Sequence, residues 1–268
     1  MQHNLVLCGH GWLGGYLAAT CPDAQITATT RTAEKQQALA GEGIHALCFS
    51  LGDDPSQLVQ ASKDATVILN IPPGRRSKDL GDFRQQMCEL VDGFMEHNAR
   101  QVVFISTTSV YGDETDGTVT ETSATDPQTE SAKAHVAIEK HIQHYPANRY
   151  TILRLAGLTG PDRHPVNMLS GKHFSSGNKV VNLVHIHDVT TALTRIIERG
   201  GKGEVLHLCS LSHPKRGDYY SRCAHERGLP PPTFDDTTAV PVGKQIDATW
   251  SWEQLGVTPA YPTVEDMM

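Results

Sequence analysis

Gly9, Gly11 and Gly14, in Gly9-His10-Gly11-Trp12-Leu13-Gly14, follow the apolar run Leu5-Val6-Leu7-Cys8 and open a second apolar stretch through Leu17. G-x-G-x-x-G at a strand-to-helix junction suits one task, holding the pyrophosphate of a dinucleotide. Gly9 permits the tight turn, Gly11 lets the backbone approach the phosphates, and Gly14 lets the helix pack close on the strand. The helix N-terminus points its N–H groups at the anion. At the end of the next strand, an acidic residue would accept from the ribose hydroxyls of NAD. Here that position reads Thr29-Thr30-Arg31-Thr32. A guanidinium flanked by hydroxyls suits a 2′-phosphate instead, so NADP is the expected cofactor and NAD the alternative.

Other chemistry-bearing residues are scattered more widely. Arg75 and Arg76, after Pro72-Pro73-Gly74, can meet an anionic substrate or cofactor phosphate, or simply be solvated. His185 and His187 alternate onto one strand face with Asp188 following, but no third ligand is evident and no metal is expected. Asp188 reads as the N-cap of a helix beginning at Val189.

These residues need elements to position them. Apolar runs bounded by turn residues predict strands at 5–8, 25–30, 44–49, 64–71, 101–106, 150–155, 180–186 and 205–209. Helices are predicted after Gly11 and at 31–40, 79–98, 130–144 and 189–199. The 79–98 helix carries an apolar stripe at Leu80, Phe83, Met87, Leu90, Val91 and Phe94. Strands alternating with helices mean parallel βαβ units in a doubly wound Rossmann-type α/β sheet. Ligands of such sheets lie beyond the carboxyl ends of the strands. The expected cofactor contacts are therefore Gly9, Gly11, Trp12, Leu13, Gly14, Thr30, Arg31, Ser50, Leu51, Asn70, Ile71, Pro72 and Ser106. Residues 157–177 read as a loop. The chain is expected to be one domain over 1–268, with 157–180 and 209–268 forming a small substrate-covering lobe.

The 268 residues suffice for a full core, and the net charge of -7, with no clustered Lys and Arg, argues against a nucleic-acid partner. Six cysteines without a C-x-x-C spacing read as reduced thiols of a cytoplasmic protein. The N-terminus lacks the pattern of a signal peptide, and no apolar run is long enough to span a membrane. A small-molecule substrate is expected, with the chain a monomer or homodimer.

The phrases GHGWLG at 9–14, FISTTSVYGD at 104–113, ILRLAGLTGPDRHP at 152–165, NLVHIHDV at 182–189 and GEVLHLCSLSHP at 203–214 resemble the extended short-chain dehydrogenase/reductase superfamily. Within its epimerase/dehydratase group they are similar to the YeeZ-like branch. The resemblance implies that Thr107, at the end of the fifth strand, hydrogen-bonds a substrate hydroxyl. Thr108 and Ser109 stand where sugar-nucleotide dehydratases carry an acid and a base, so that form of dehydration is not expected. Registering the next helix on Glu139 puts Ser131 at the family's Tyr position and His135 at its Lys position. Registering on Lys133 puts Thr129 at the Tyr position, so the phenol is absent either way. A serine is a poor proton donor beside a tyrosine activated by lysine, whereas His135 can bind the ribose or relay a proton. Tyr111 is the nearest other phenol, with packing as its competing role. Arg163 and His164 fall where the family contacts substrate.

The resemblance implies an NAD(P)-dependent oxidoreductase or epimerase acting on a hydroxyl or carbonyl of a polar metabolite, nucleotide-linked ones included. The alternative is a catalytically weak or inactive sensor that binds NAD(P) and reports to a partner.

Overall fold

The computed structural model describes residues 3–73, 80–236 and 240–268. Through its first half the chain forms β1 (Asn4–Cys8), α1 (Trp12–Thr20), β2 (Gln25–Thr30), α2 (Ala33–Gly41), β3 (His45–Cys48), α3 (Ser56–Ala61), β4 (Thr66–Leu69), α4 (Leu80–Glu96), β5 (Gln101–Thr107), β6 (Gly117–Val119) and α5 (Glu130–Ile142). It continues through β7 (Tyr150–Leu155), β8 (Gly157–Thr159), α6 (Val166–Leu169), β9 (His173–Ser176), β10 (Leu183–His185), α7 (Ile186–Arg199), β11 (Glu204–Leu208), α8 (Arg216–Glu226), β12 (Thr233–Asp236), β13 (Lys244–Ile246) and α9 (Thr249–Leu255).

Seven strands form one parallel sheet in the order β11-β7-β5-β4-β1-β2-β3. β1 sits between β2 and β4, with Leu7 opposite Ala28 on one side and Ile68 on the other. The order reverses at β1, which creates a crevice beyond the carboxyl ends of β1 and β4. A sheet covered on both faces buries its central strands whole, and every residue of β4 (Thr-Val-Ile-Leu) and of β7 is buried. The stripe on α4 buries Phe83, Met87, Leu90, Val91 and Phe94 in the core that also takes Val67 and Leu69 of β4 and Val102 and Phe104 of β5. Thr129 caps α5 by accepting from Ala132 N at 3.1 Å.

The chain divides into two compact units. The first comprises 1–110, 127–154 and 190–206; the second comprises 111–126, 155–189 and 207–268. Both segments of the expected substrate lobe, 157–180 and 209–268, fall in the second. That unit has its own core, with Val166, Leu183, Tyr219, Tyr220, Cys223 and Val264 buried together. It also holds three two-stranded parallel sheets, β8 with β10, β9 with β12, and β6 with β13.

Three expectations are corrected in this region. The strand expected at 180–186 shortens to β10 and pairs with β8, not with the large sheet. Its apolar run resembles a central strand because the second unit buries it equally well. Residues 157–177, expected as a loop, contain β8, α6 and β9. Asp188 is not an N-cap, because α7 already begins at Ile186; its carboxylate instead accepts from Ala260 N at 2.7 Å and Tyr261 N at 3.0 Å.

Candidate functional site

The glycine loop is built against the end of β4. Gly9 has φ +93°, and a Cβ there would lie 2.3 Å from the carbonyl oxygen of Asn70, so no other residue fits. Asn70 returns the contact, its Nδ2 reaching Gly9 O at 3.5 Å and its N donating to Cys8 O at 2.9 Å. On the other side, Gly9 N donates to Thr29 Oγ1 at 2.7 Å and His10 N to Thr29 O at 3.0 Å. Gly14 needs its lack of a side chain for packing, since a Cβ there would stand 3.2 Å from Gly9 O.

Gly11 differs. It caps α1 with no side-chain bond, and a Cβ there would meet nothing within 4 Å. The loop therefore leaves open space where the α1 N-terminus begins, at the sheet's reversal point. A phosphate fits such a cradle: backbone N–H groups supply donors, and the missing side chain supplies room. Trp12 is half-buried with its ring edge-on to Tyr16 at 5.1 Å, and Leu13 is buried beneath the helix.

The other expected cofactor contacts lie at strand ends in the same unit. Thr30 is buried and Arg31 exposed, just before Thr32, which caps α2 by accepting from Lys35 N at 3.3 Å. Ser50 is exposed and its N–H donates to Asp53 Oδ2 at 2.7 Å, while Leu51 and Ile71 are half-buried and Pro72 exposed. Arg75 lies outside the described residues. Ser106 points inward, its hydroxyl donating to Glu139 Oε1 at 2.5 Å.

Thr107 closes β5. Its Oγ1 accepts from Ser109 N at 3.1 Å and lies 2.9 Å from Ser109 Oγ, bending the chain into the turn that carries Thr108, which is buried. Ser131 and His135 sit one turn apart on α5, and Ser131 is half-buried. His135 Nδ1 lies 2.8 Å from Ser131 O; a carbonyl only accepts, so Nδ1 carries the proton and Nε2 is left as the acceptor. The ring is 8 % exposed, stacked on Phe104 at 5.8 Å and tilted against Phe83 at 6.3 Å. Burial holds its pKa below the ordinary value, against the opposing pull of Ser131 O and Glu139. The imidazole is thus neutral near pH 7.

In the second unit, Tyr111 is fully enclosed; its hydroxyl lies 2.5 Å from His207 Nε2 and 3.2 Å from Thr120 O. The exposed Arg163 follows a tight turn in which its backbone pairs both ways with Gly160. His164 is buried, with Nδ1 accepting from Val166 N at 3.2 Å and Nε2 3.1 Å from the Tyr219 hydroxyl. His185 stacks on Tyr261 at 3.6 Å, and His187 is exposed. Among the described residues no three His, Cys, Asp or Glu side chains converge as metal ligands, and no helix is long and apolar enough to cross a membrane.

Sequence reasoning missed several residues that build the site. Thr29 holds the glycine loop, and Lys35 reaches from α2 to donate to the carbonyl of His10. Glu139, used only to set a register, accepts from Ser106 and from Arg154, whose Nη2 lies 2.6 Å from Oε2. The spacing of Lys35 four residues past Arg31 was a readable signal for a second cation. The partners of Glu139 were not readable, because they come from β5 and β7.

The sequence profile of the NAD(P)H-binding family matches residues 9–199. Protein YeeZ of Escherichia coli K12 is 34 % identical over 265 residues, which cover 97 % of this chain and 96 % of YeeZ. Among solved structures, UDP-glucose 4-epimerase of Thermotoga maritima, bound to UDP-glucose, superposes with a TM-score of 0.81 at 17 % identity, over 98 % of this chain and 96 % of that one. A functionally unknown conserved protein from Silicibacter pomeroyi gives 0.75 at 24 % identity, over 98 % and 95 %. The likeness to these structures is one of fold, and the glycine loop lies inside the matched family segment. The chain belongs to the NAD(P)H-binding family.

Proposed function

We propose that the protein is an NADP-preferring oxidoreductase or epimerase acting on a hydroxyl or carbonyl of a polar metabolite. The observation that carries this reading is the open cradle at Gly11, set at the reversal point of the sheet with Arg31 at the end of the neighbouring strand. When bound, the dinucleotide supplies hydride transfer. The chain's own residues do the rest: the α1 N-terminus takes the pyrophosphate, Arg31 the 2′-phosphate, and Thr107 a substrate hydroxyl. His135, presenting Nε2 as an acceptor, occupies the place of the family's lysine and Ser131 that of its tyrosine. Arg163 and His164 are assigned to the substrate side on the resemblance alone. The UDP-glucose bound by the Thermotoga epimerase makes a nucleotide-linked sugar the first substrate class to test.

Calorimetric titration decides the cofactor. NADPH is expected to bind at least tenfold more tightly than NADH, and Arg31→Ala to remove most of that difference, because a charge-assisted bond to phosphate contributes about 1.5–3 kcal/mol. Equal or tighter NADH binding refutes the assignment.

One observation favours the weaker reading, a sensor with little turnover. His135 is sealed between Phe104 and Phe83 and uncharged, so it neither donates a second proton nor lowers the pKa of a neighbour as a lysine does. Positioned acid–base groups contribute ~10²–10⁴-fold in rate. Single-turnover NADPH oxidation by keto-sugar nucleotides, or NADP+ reduction by the corresponding hydroxyl sugars, is therefore expected to be slow and to depend on His135 and Thr107. Fast turnover in His135→Ala would place the proton donor elsewhere. Tight cofactor binding without turnover on any substrate would favour the sensor.

A further inference from the structure

His10, inside the glycine loop, is 8 % exposed, and among the described residues neither Nδ1 nor Nε2 has a hydrogen-bond partner. A buried imidazole with both donor and acceptor unmade costs more than an apolar side chain of the same size, so its presence calls for a role. The ring rests on the first turn of α1, where a Cβ on Gly14 would stand 3.7 Å from its Cγ and a Cβ on Gly15 3.7 Å from its Cε1. It lies against this glycine pair, at ordinary contact distance from where a Cβ on either would stand.

The surroundings say what it waits for. Among the described residues the charged groups acting on the ring are Lys35 on α2 and Glu42 just past its end, while the α1 side presents the two glycines. Lys35 Nζ donates to the carbonyl of His10 itself, and the His10 N–H is tied to Thr29, two residues before Arg31. The backbone of His10 is thus tied to the β2–α2 side of the loop, where Lys35 brings its ammonium, while the ring rests on the first turn of α1. The pyrophosphate has the backbone of the α1 N-terminus; the β2–α2 side is where a group on the adenosine ribose would stand.

We propose that His10 reads the ribose phosphate of the cofactor: its imidazole and the ammonium of Lys35 join Arg31 in taking a 2′-phosphate monoester, and the ring gains a proton as the phosphate binds. This rests on the NADP preference argued above. In the free protein, burial and then Lys35 hold the ring below its ordinary pKa, so it is neutral. A dianionic phosphate accepts but does not donate, which favours the doubly donating imidazolium. The phosphate's own titration works in the opposite direction, because it sheds its last proton beside cations. Net proton uptake on binding therefore comes from the protein.

Calorimetry with NADP+ and NAD+ at pH 6.5 and pH 8.0, each in two buffers of different ionisation enthalpy, tests this on the wild type, His10→Gln and Lys35→Met. NADP+ is expected to bind with proton uptake and NAD+ without it, a count that needs no variant. The preference for NADP+ should be roughly tenfold greater at pH 6.5 than at pH 8.0, as expected for one added charge-assisted bond. His10→Gln should abolish the uptake and flatten the pH dependence; Lys35→Met should lower the preference at both pH values. NADP+ binding without uptake, or an unchanged pH dependence in His10→Gln, overturns the role of His10 while leaving the NADP reading intact. NADP+ binding no tighter than NAD+ at either pH in the wild type overturns both.

Discussion

Gly9 and Gly11 are glycines for opposite reasons. A side chain at Gly9 would enter the backbone of Asn70, at a φ that L-residues avoid; one at Gly11 would enter empty space at φ -90°. Gly9→Ala is expected to lower stability by at least ~2 kcal/mol, because both the left-handed strain and the contact must be relieved by moving β1 or β4. Gly11→Val should cost about 1 kcal/mol or less, the penalty of a poorer helix cap, yet reduce NADPH affinity more than a hundredfold. Thermal melts and calorimetry on the two variants separate these effects. A Gly11→Val protein that binds NADPH normally would remove the cofactor from this loop. The same spacing of glycines in the sequence thus conceals one structural position and one reserved for a ligand. Only the atoms opposite each Cβ distinguish them.

At the scale of elements, α5 is held on the sheet by a buried charge cluster. Arg154 of β7 donates through Nε and Nη2 to both oxygens of Glu139, at 2.6–3.2 Å, and Ser106 of β5 donates to Oε1. Both ionic side chains are less than a tenth exposed. Such a pair is not a large net source of stability, since desolvation offsets the attraction, but removing one partner strands the other. Glu139→Gln or Arg154→Met alone is expected to cost roughly 3–5 kcal/mol, and the double variant much less than the sum. Additive losses in denaturant titrations would show the two side chains to be uncoupled. Because His135 lies one turn before Glu139, this anchor also sets the height of the His135 ring over Phe104. Helix α5 was legible at 130–144, though its Thr129 cap was not. Its anchoring was not, because an isolated Glu on a helix reads as solvated until β5 and β7 are placed beneath it.

For the molecule as a whole, buried histidines set the acid limit. His10, His135, His164, His185 and His213 all have pKa values held below the ordinary 6.5, burial being the largest cause in each. His164 is pulled furthest, to about 4, by burial and then by Arg227. Its neutral ring is fully used, Nδ1 accepting from Val166 N and Nε2 meeting the Tyr219 hydroxyl, and protonation would cost the first bond. A histidine with a depressed folded pKa takes up its proton more readily when unfolded. Its stabilisation is complete above pH 6.5 and is withdrawn as the pH falls toward the folded value. From His164 alone the loss is about 2 kcal/mol by pH 5. Unfolding free energy measured from pH 7 to pH 4 should fall steeply in the wild type and more gently in His164→Gln. Equal slopes would show that His164 titrates normally.

The sequence by itself determined what depends on near neighbours along the chain. Apolar runs set β1, β4, β5 and β7, the stripe at Phe83, Met87, Leu90 and Phe94 set α4, and the glycine spacing set the loop, because burial on one or both faces leaves a period that can be read without a fold. Tertiary structure decided everything that depends on which surface an element meets. The apolar Leu183-Val184-His185 carries no mark of its sheet, so its pairing with β8 followed only from the second unit's own core. Asp188 caps nothing on its own helix because residues 260 and 261 arrive to donate to it from seventy positions away. His10 shows only as the variable residue of a glycine motif until α1 and α2 close on its ring. Burial without a partner is a property of the space around a side chain, and no spacing within the chain encodes it.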